Sequence, residues 1–99
     1  MSRKIEKKRW KTRHKLEEDS RYPDNCIHIG RNESYKHAKK KLKIAWELIQ
    51  DDKKIVTEAK AKNKNRIYDI ICLDTGNIYE IESDKSVEKK DADFTIYLD

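Results

Sequence analysis

Asp69 and Glu82 invite attention first, because each interrupts a strand that otherwise reads as core. The runs Arg66-Ile-Tyr-Asp-Ile-Ile-Cys-Leu73 and Ile78-Tyr-Glu-Ile-Glu82 are joined by the tight turn Asp74-Thr-Gly-Asn77. A carboxylate in such a strand costs free energy unless something compensates it. A divalent cation is one compensation, and Mg²⁺ or Mn²⁺ takes hard oxygen ligands from Asp and Glu. A cation held this way neutralises developing charge and activates water in phosphodiester hydrolysis. A third acid, Glu58, lies near the end of the run Lys54-Ile-Val-Thr-Glu58. Glu33, His37 and Lys41 follow one another in i+4 steps, so on a helix they stack along one flank. A histidine or lysine so placed can orient the water or stabilise the charge of the transition state. The plainer alternative is a solvated helix flank beside carboxylates held in ordinary salt bridges.

Positioning these groups requires particular elements. The spacing predicts a helix over residues 33–50, with Glu33 in its first turn where the helix dipole favours an anion. Tyr35, Ala38, Leu42, Ala45/Trp46 and Ile49 recur at helical spacing and predict its buried stripe. The polar line from Glu33 to Lys41 runs on into Ile44 or Ala45 and then Leu48, which puts it at the edge of the core. Strands are expected over residues 54–59, 66–73, 78–82 and 94–98, with a short helix or turn around residues 86–90. Strict alternation puts Asp69, Ile71 and Leu73 on one strand face and Tyr68, Ile70 and Cys72 on the other. Ile78, Glu80 and Glu82 share a face of the next strand, so Asp69 and Glu82 are expected to point the same way.

The 99 residues suffice for one small domain with a modest core. Charged residues make up 43% of the chain and apolar ones 35%, an imbalance that predicts an extended arm. Residues 1–21 carry nine Lys/Arg against four Asp/Glu, and residues 22–66 carry twelve against six. Residues 67–99 reverse the balance, with three against nine. A basic body beside carboxylate-rich strands suits a polyanion held over a cation site. Ile5, Trp10 and Leu16 do not recur at a helical period, so residues 1–21 are read as a basic arm, disordered or helical in part. Within it Trp10 can stack on a base while Arg9 and Lys11 hold phosphates. The basic loop carrying Lys60, Lys62, Lys64 and Arg66 is a second candidate grip on a nucleic-acid backbone. Residues 22–32 read as a connector. The spacing of His14, Cys26, His28 and His37 matches no zinc finger or ribbon. Two cysteines make no disulfide framework, which with the lack of a signal-peptide pattern or a membrane-length apolar run predicts a soluble, cytoplasmic protein.

The expected order, helix–strand–strand–strand–short helix–strand, resembles the shared core of the PD-(D/E)XK nuclease superfamily. The likeness is greatest to the branch of competence protein CoiA-like nucleases and related archaeal and viral proteins. It rests on Glu33-Ser34-x-x-His37-x-x-x-Lys41 in the helix, Glu58 at the end of the first strand, Tyr68-Asp69-Ile70-Ile71 and Tyr79-Glu80-Ile81-Glu82. The resemblance implies an α/β sandwich with a restriction-endonuclease-like core over residues 22–99 and a Mg²⁺- or Mn²⁺-dependent endonuclease. DNA is a more natural substrate than RNA, and pairing into a homodimer is common in this architecture. Carried over, Asp69 and Glu82 are metal-binding acids, with Glu58 a further acid supporting metal or water. His37 and Lys41 line the site, and Glu33 buttresses His37. Two positions depart from the superfamily pattern: Tyr68 stands where proline precedes the acid, and Asp84 where a lysine follows Glu82 by two. The resemblance then assigns the lysine's task to Lys41 or Lys85. The contrasting expectation is a non-catalytic nucleic-acid-binding protein on a degenerate nuclease fold.

Overall fold

A computed structural model describes residues 3–62, 66–83 and 92–98. They form a small α+β fold: helix α1 (Arg3–His14), a 3₁₀ turn (Glu18–Ser20), helix α2 (Tyr35–Gln50) and strands β1 (Ile55–Lys60), β2 (Ile67–Cys72), β3 (Ile78–Glu82) and β4 (Phe94–Tyr97). The four strands make one mixed sheet in chain order. β1, β2 and β3 pair antiparallel, and β3 and β4 pair parallel. A parallel pair needs a crossover between its strands. The short helix expected there around residues 86–90 lies outside the described residues, as do Lys64, Asp84 and Lys85.

Helix α2 begins where its caps dictate. The Ser34 hydroxyl accepts from the His37 N–H, satisfying one donor of the first turn. At the other end Lys53 N–H donates to Leu48 O and Asp52 N–H to Ile49 O, with Asp52 at φ +59°. That is the double bond of a Schellman stop, with an aspartate in the left-handed position. The buried face differs from the predicted stripe. Lys41 and Ala45 are fully buried, whereas Tyr35, Leu42 and Trp46 are exposed at 78%, 53% and 58%. Helical spacing fits both lines of residues. The polar line is the buried one because Glu33 and Glu58 satisfy the Lys41 ammonium.

The sheet has a core on each face. On the α2 side Ala45 packs with Ile55 and Ile70, flanked by Leu48, Ile49 and Tyr79. On the other side Leu16 packs with Val56, Ala59, Tyr68, Ile71 and Leu73. Val56 with Ala59, and Tyr68 with Ile71, therefore share a face at a spacing of three rather than two. Strict alternation fails at the intervening residues of both strands, and the expected grouping of Asp69 with Ile71 and Leu73 is corrected. Tyr68 belongs with them instead, and Asp69 turns toward α2.

Residues 3–21, the basic segment of the sequence, are helical in part and tied to the rest of the fold. Arg9 makes a bidentate pair with Asp74, Nε to Oδ1 at 2.8 Å and Nη2 to Oδ2 at 2.7 Å, and Nη2 also reaches Asp52 O. The Asp74 pair and burial act on Arg9 in opposite senses, and the pair prevails, raising the guanidinium above its ordinary pKa. Burial pushes the Asp74 carboxyl up, but hydrogen bonds from Arg9 and the Lys54 N–H outweigh it and hold it below the usual range. Beyond α1 the chain is stitched to the end of β1: Glu17 N–H donates to Lys60 O, Lys62 N–H to Lys15 O and Lys60 N–H to the Ser20 hydroxyl. Farther on, Asn25 N–H donates to Ile55 O and His28 N–H to the Thr57 hydroxyl, so the connector covers the open edge of β1. Both intervals hide an edge that would otherwise template pairing with another chain.

Replacing Arg9 by Ala leaves the Asp74 carboxylate in a partly buried place without its cation. The expected loss is roughly 3 kcal/mol in urea unfolding, with Arg9→Lys intermediate because lysine cannot pair bidentately. Limited proteolysis should then cut α1 first; unchanged stability in both variants would show that α1 docks by other contacts.

Candidate acidic site beneath helix α2

The left-handed conformation of Glu58, φ +52°, creates this site's strand geometry. Thr57 pairs with Ile70 and Ala59 with Tyr68, so Glu58 and Asp69 lie across from one another. With alternation broken at both, the two carboxylates emerge on the face that α2 covers. A non-glycine residue in this region costs about 1–2 kcal/mol, and such strain concentrates where function over-determines the backbone. Asp69 also alters the next strand pair, because its Oδ2 accepts the Ile81 N–H at 2.7 Å.

The N-terminal half of α2 supplies the facing groups. Lys41 Nζ donates to Glu33 Oε1 and to Glu58 Oε1, each at 2.8 Å. Glu33 Oε1 also accepts the Gly30 N–H at 2.8 Å, and Glu33 Oε2 pairs with His37 Nδ1. An ionised carboxylate only accepts, so Nδ1 carries a proton and His37 Nε2 is the ring atom turned to the sheet. Nε2 stands 3.4 Å from Asp69 Oδ2. Gly30, Asn32, Ser34, Glu33, His37, Glu58 and Asp69 line a cleft of ≈ 350 Å³.

The ionisation of the pair beneath the cleft follows from competing forces. Burial pushes the Glu33 carboxyl up, and hydrogen bonds from Lys41, the Gly30 N–H and His37 more than reverse it, leaving it below the usual carboxylate range. Burial pushes the Lys41 ammonium down, and the bonds to Glu33 and Glu58 reverse that, raising it above its ordinary value. Both groups are therefore charged near neutrality.

Five of the six residues singled out from the sequence meet here: Glu33, His37, Lys41, Glu58 and Asp69. Their roles separate, however. Lys41 does not line the cleft; it lies fully buried behind Glu33 and Glu58 and acts through them. Glu82 is not brought to Asp69. Alternation from Ile78, which packs against the Leu16 core, carries Glu82 to the opposite face, and its Oε1 accepts the Ser83 N–H. Among the described residues no group of three or more His, Cys, Asp or Glu side chains is arranged to hold a metal ion.

The expected nucleic-acid contacts also divide. Arg9 is 9% exposed and held by Asp74, which removes it as a phosphate contact. Trp10 is 62% exposed, stacked on His14 with centroids 4.1 Å apart, and Lys11 is exposed beside it. Lys60 pairs with Glu17, Lys62 is exposed, and Arg66 pairs with Glu80 and lies over the Tyr68 ring. Gly30, Asn32 and Ser34, which were not expected at the site, also line the cleft. A serine before an apolar-periodic run is a cap signal and could have flagged Ser34. No helix among the described residues is long and apolar enough to cross a membrane. No family model, no curated protein and no solved structure matches this chain.

Two outcomes test this geometry without reference to function. Glu58→Gly and Glu58→Ala both delete the carboxylate, but only glycine relieves φ +52°, so Glu58→Gly should be more stable by about 1 kcal/mol in denaturant titration. Equal stabilities would show that position 58 is unstrained. Glu33 has a lowered folded pKa, so its contribution is present above about pH 4.3 and is lost as pH falls through the folded value. The raised folded pKa of Lys41 makes its contribution present below about pH 10.4 and lost as pH rises beyond it. Lys41→Met should cost roughly 3–5 kcal/mol at pH 7 and flatten the decline in stability below pH 4.3, measured by chemical denaturation from pH 3 to 7.

Proposed function

We propose that the cleft hydrolyses phosphodiester bonds with a bound Mg²⁺ or Mn²⁺, the nucleic acid being DNA rather than RNA. One observation carries the reading: a histidine whose Nδ1 is held by Glu33 presents Nε2 to Asp69, with Glu58 across the strand pair. Nε2 and Asp69 Oδ2 are both acceptors when the ring is neutral, and two acceptors 3.4 Å apart call for a proton or a cation near them. Asp69 and Glu58 offer the hard oxygens that would hold the metal, which when bound would supply charge neutralisation and an activated water. This pair replaces the Asp69–Glu82 pair that the strand alternation favours.

Within this reading His37 takes the water's proton on Nε2, and the resulting imidazolium lies between Glu33 and Asp69. Glu33 fixes the ring's tautomer and orientation, as a carboxylate does for a general-base histidine. Lys41 is a positioning residue that holds Glu33 and Glu58 from behind. The restriction-endonuclease-like core belongs to the same proposal, supported by the antiparallel β1–β2–β3 order with β4 parallel to β3.

One specific observation favours the second reading, a non-catalytic nucleic-acid binder. Among the described residues, no lysine or arginine lines the cleft, because Lys41 is withdrawn beneath it. Plasmid and oligonucleotide cleavage with Mg²⁺ or Mn²⁺ decides. Asp69→Asn and His37→Gln should each lower the rate by about 10²–10⁴-fold, with wild-type folding by circular dichroism. Cleavage unaffected by either change excludes the site. Absence of both cleavage and calorimetric Mg²⁺ binding in the wild type favours the binder.

A further inference from the structure

Two faces of α2 do different work. The inner face carries His37, Lys41 and Ala45 into the fold, while Tyr35, Leu42 and Trp46 form an apolar stripe along the outside. On 3.6-residue geometry the stripe extends about 16 Å. Lys36, Lys39, Lys40 and Lys43 lie along one flank only, with Glu47 one turn beyond Lys43 at its end. The other flank is the edge of the core, where Ala38 and Ile49 are half-buried. Leu98, just past β4, lines the resulting groove with Leu42 and Trp46. None of the four lysines forms an ion pair with a described residue, in contrast to Lys41. A row of cations beside a parallel row holding two flat aromatic rings therefore faces outward.

We infer that this groove is a track for single-stranded nucleic acid, phosphates along the lysine flank and bases on Trp46 and Tyr35. The inference rests on the reading of the partner as a phosphodiester polymer, not on hydrolysis. Charge complementarity and exposed rings together favour a single strand, which offers a polyanionic backbone and unpaired π-faces at once. A duplex offers the lysines the same phosphates but leaves the apolar stripe without a partner. A helix lying on an anionic bilayer keeps its polar flanks in the interface on both sides of the apolar stripe. Here one of those flanks is the fold itself.

The test uses the full chain with Trp10→Phe, so that Trp46 reports alone. A short single-stranded oligonucleotide should quench its fluorescence and bind more tightly than a blunt duplex of the same length. Trp46→Ala should weaken binding about tenfold, and Trp46→Phe should restore most of it. Lys36→Gln, Lys39→Gln and Lys43→Gln combined should lower the slope of log affinity against log salt by about 2. Duplex preference, an unchanged salt slope, or stronger binding to polyglutamate or phosphatidylserine vesicles would overturn the track. If the oligonucleotide binds as described while no metal condition yields cleavage, the hydrolytic reading fails and the track stands.

Discussion

The Lys41 ammonium has no route to water and two carboxylates within hydrogen-bonding distance, Glu33 and Glu58. Removing a charge from water costs several kcal/mol, so α2 can bury this face only where both acids meet it. Glu33 arrives from the turn before α2 and Glu58 from β1, so a single cation fixes the helix against the strand. The left-handed backbone at Glu58 belongs to the same arrangement, because strict alternation would separate residue 58 from Thr57 and the helix side. Lys41 thereby governs which face of α2 is inside, and everything on the outside follows from that choice.

A second charge pair does the corresponding work on the opposite face. Arg9 and Asp74 anchor α1 over the β2–β3 turn, whose Gly76 sits at φ +78° against Lys8 and Thr12. Leu16 then reaches the core, and residues 15–20 stitch themselves to the end of β1. A chain with 43% charged residues has little apolar surface to spend, and it uses paired charges as the joints between elements. The functional reading draws on the same economy: the acids that neutralise Lys41 also orient His37 and border the cleft.

The candidate site was legible to the extent that its spacing was local. Glu33, His37 and Lys41 are one helix flank by arithmetic, and the strands bearing Glu58 and Asp69 follow from apolar runs and a Gly-Asn turn. The roles within it were not legible. Whether Lys41 faces substrate or lies beneath the acids depends on the rotation of α2, and two lines of residues satisfy the same helical period. Glu82 illustrates the limit for strands, since a slip of one residue in alternation at Asp69 sends the two acids to different faces.

The sequence by itself determined helix α2, the four strands and their order, the turn at Asp74–Asn77 and the gathering of acids and a histidine on neighbouring segments, because these rest on short-range periodicity and turn chemistry. Only the tertiary structure decided that Arg9 is a clamp, that residues 3–21 join the fold, and that Tyr35, Leu42 and Trp46 face outward. Each of those outcomes depends on a partner distant in the chain: Asp74 for Arg9, Lys60 for Glu17, and Glu58 for Lys41. Charge pairs across such separations leave no periodic trace, so their effect on burial is settled only when the chain closes on itself.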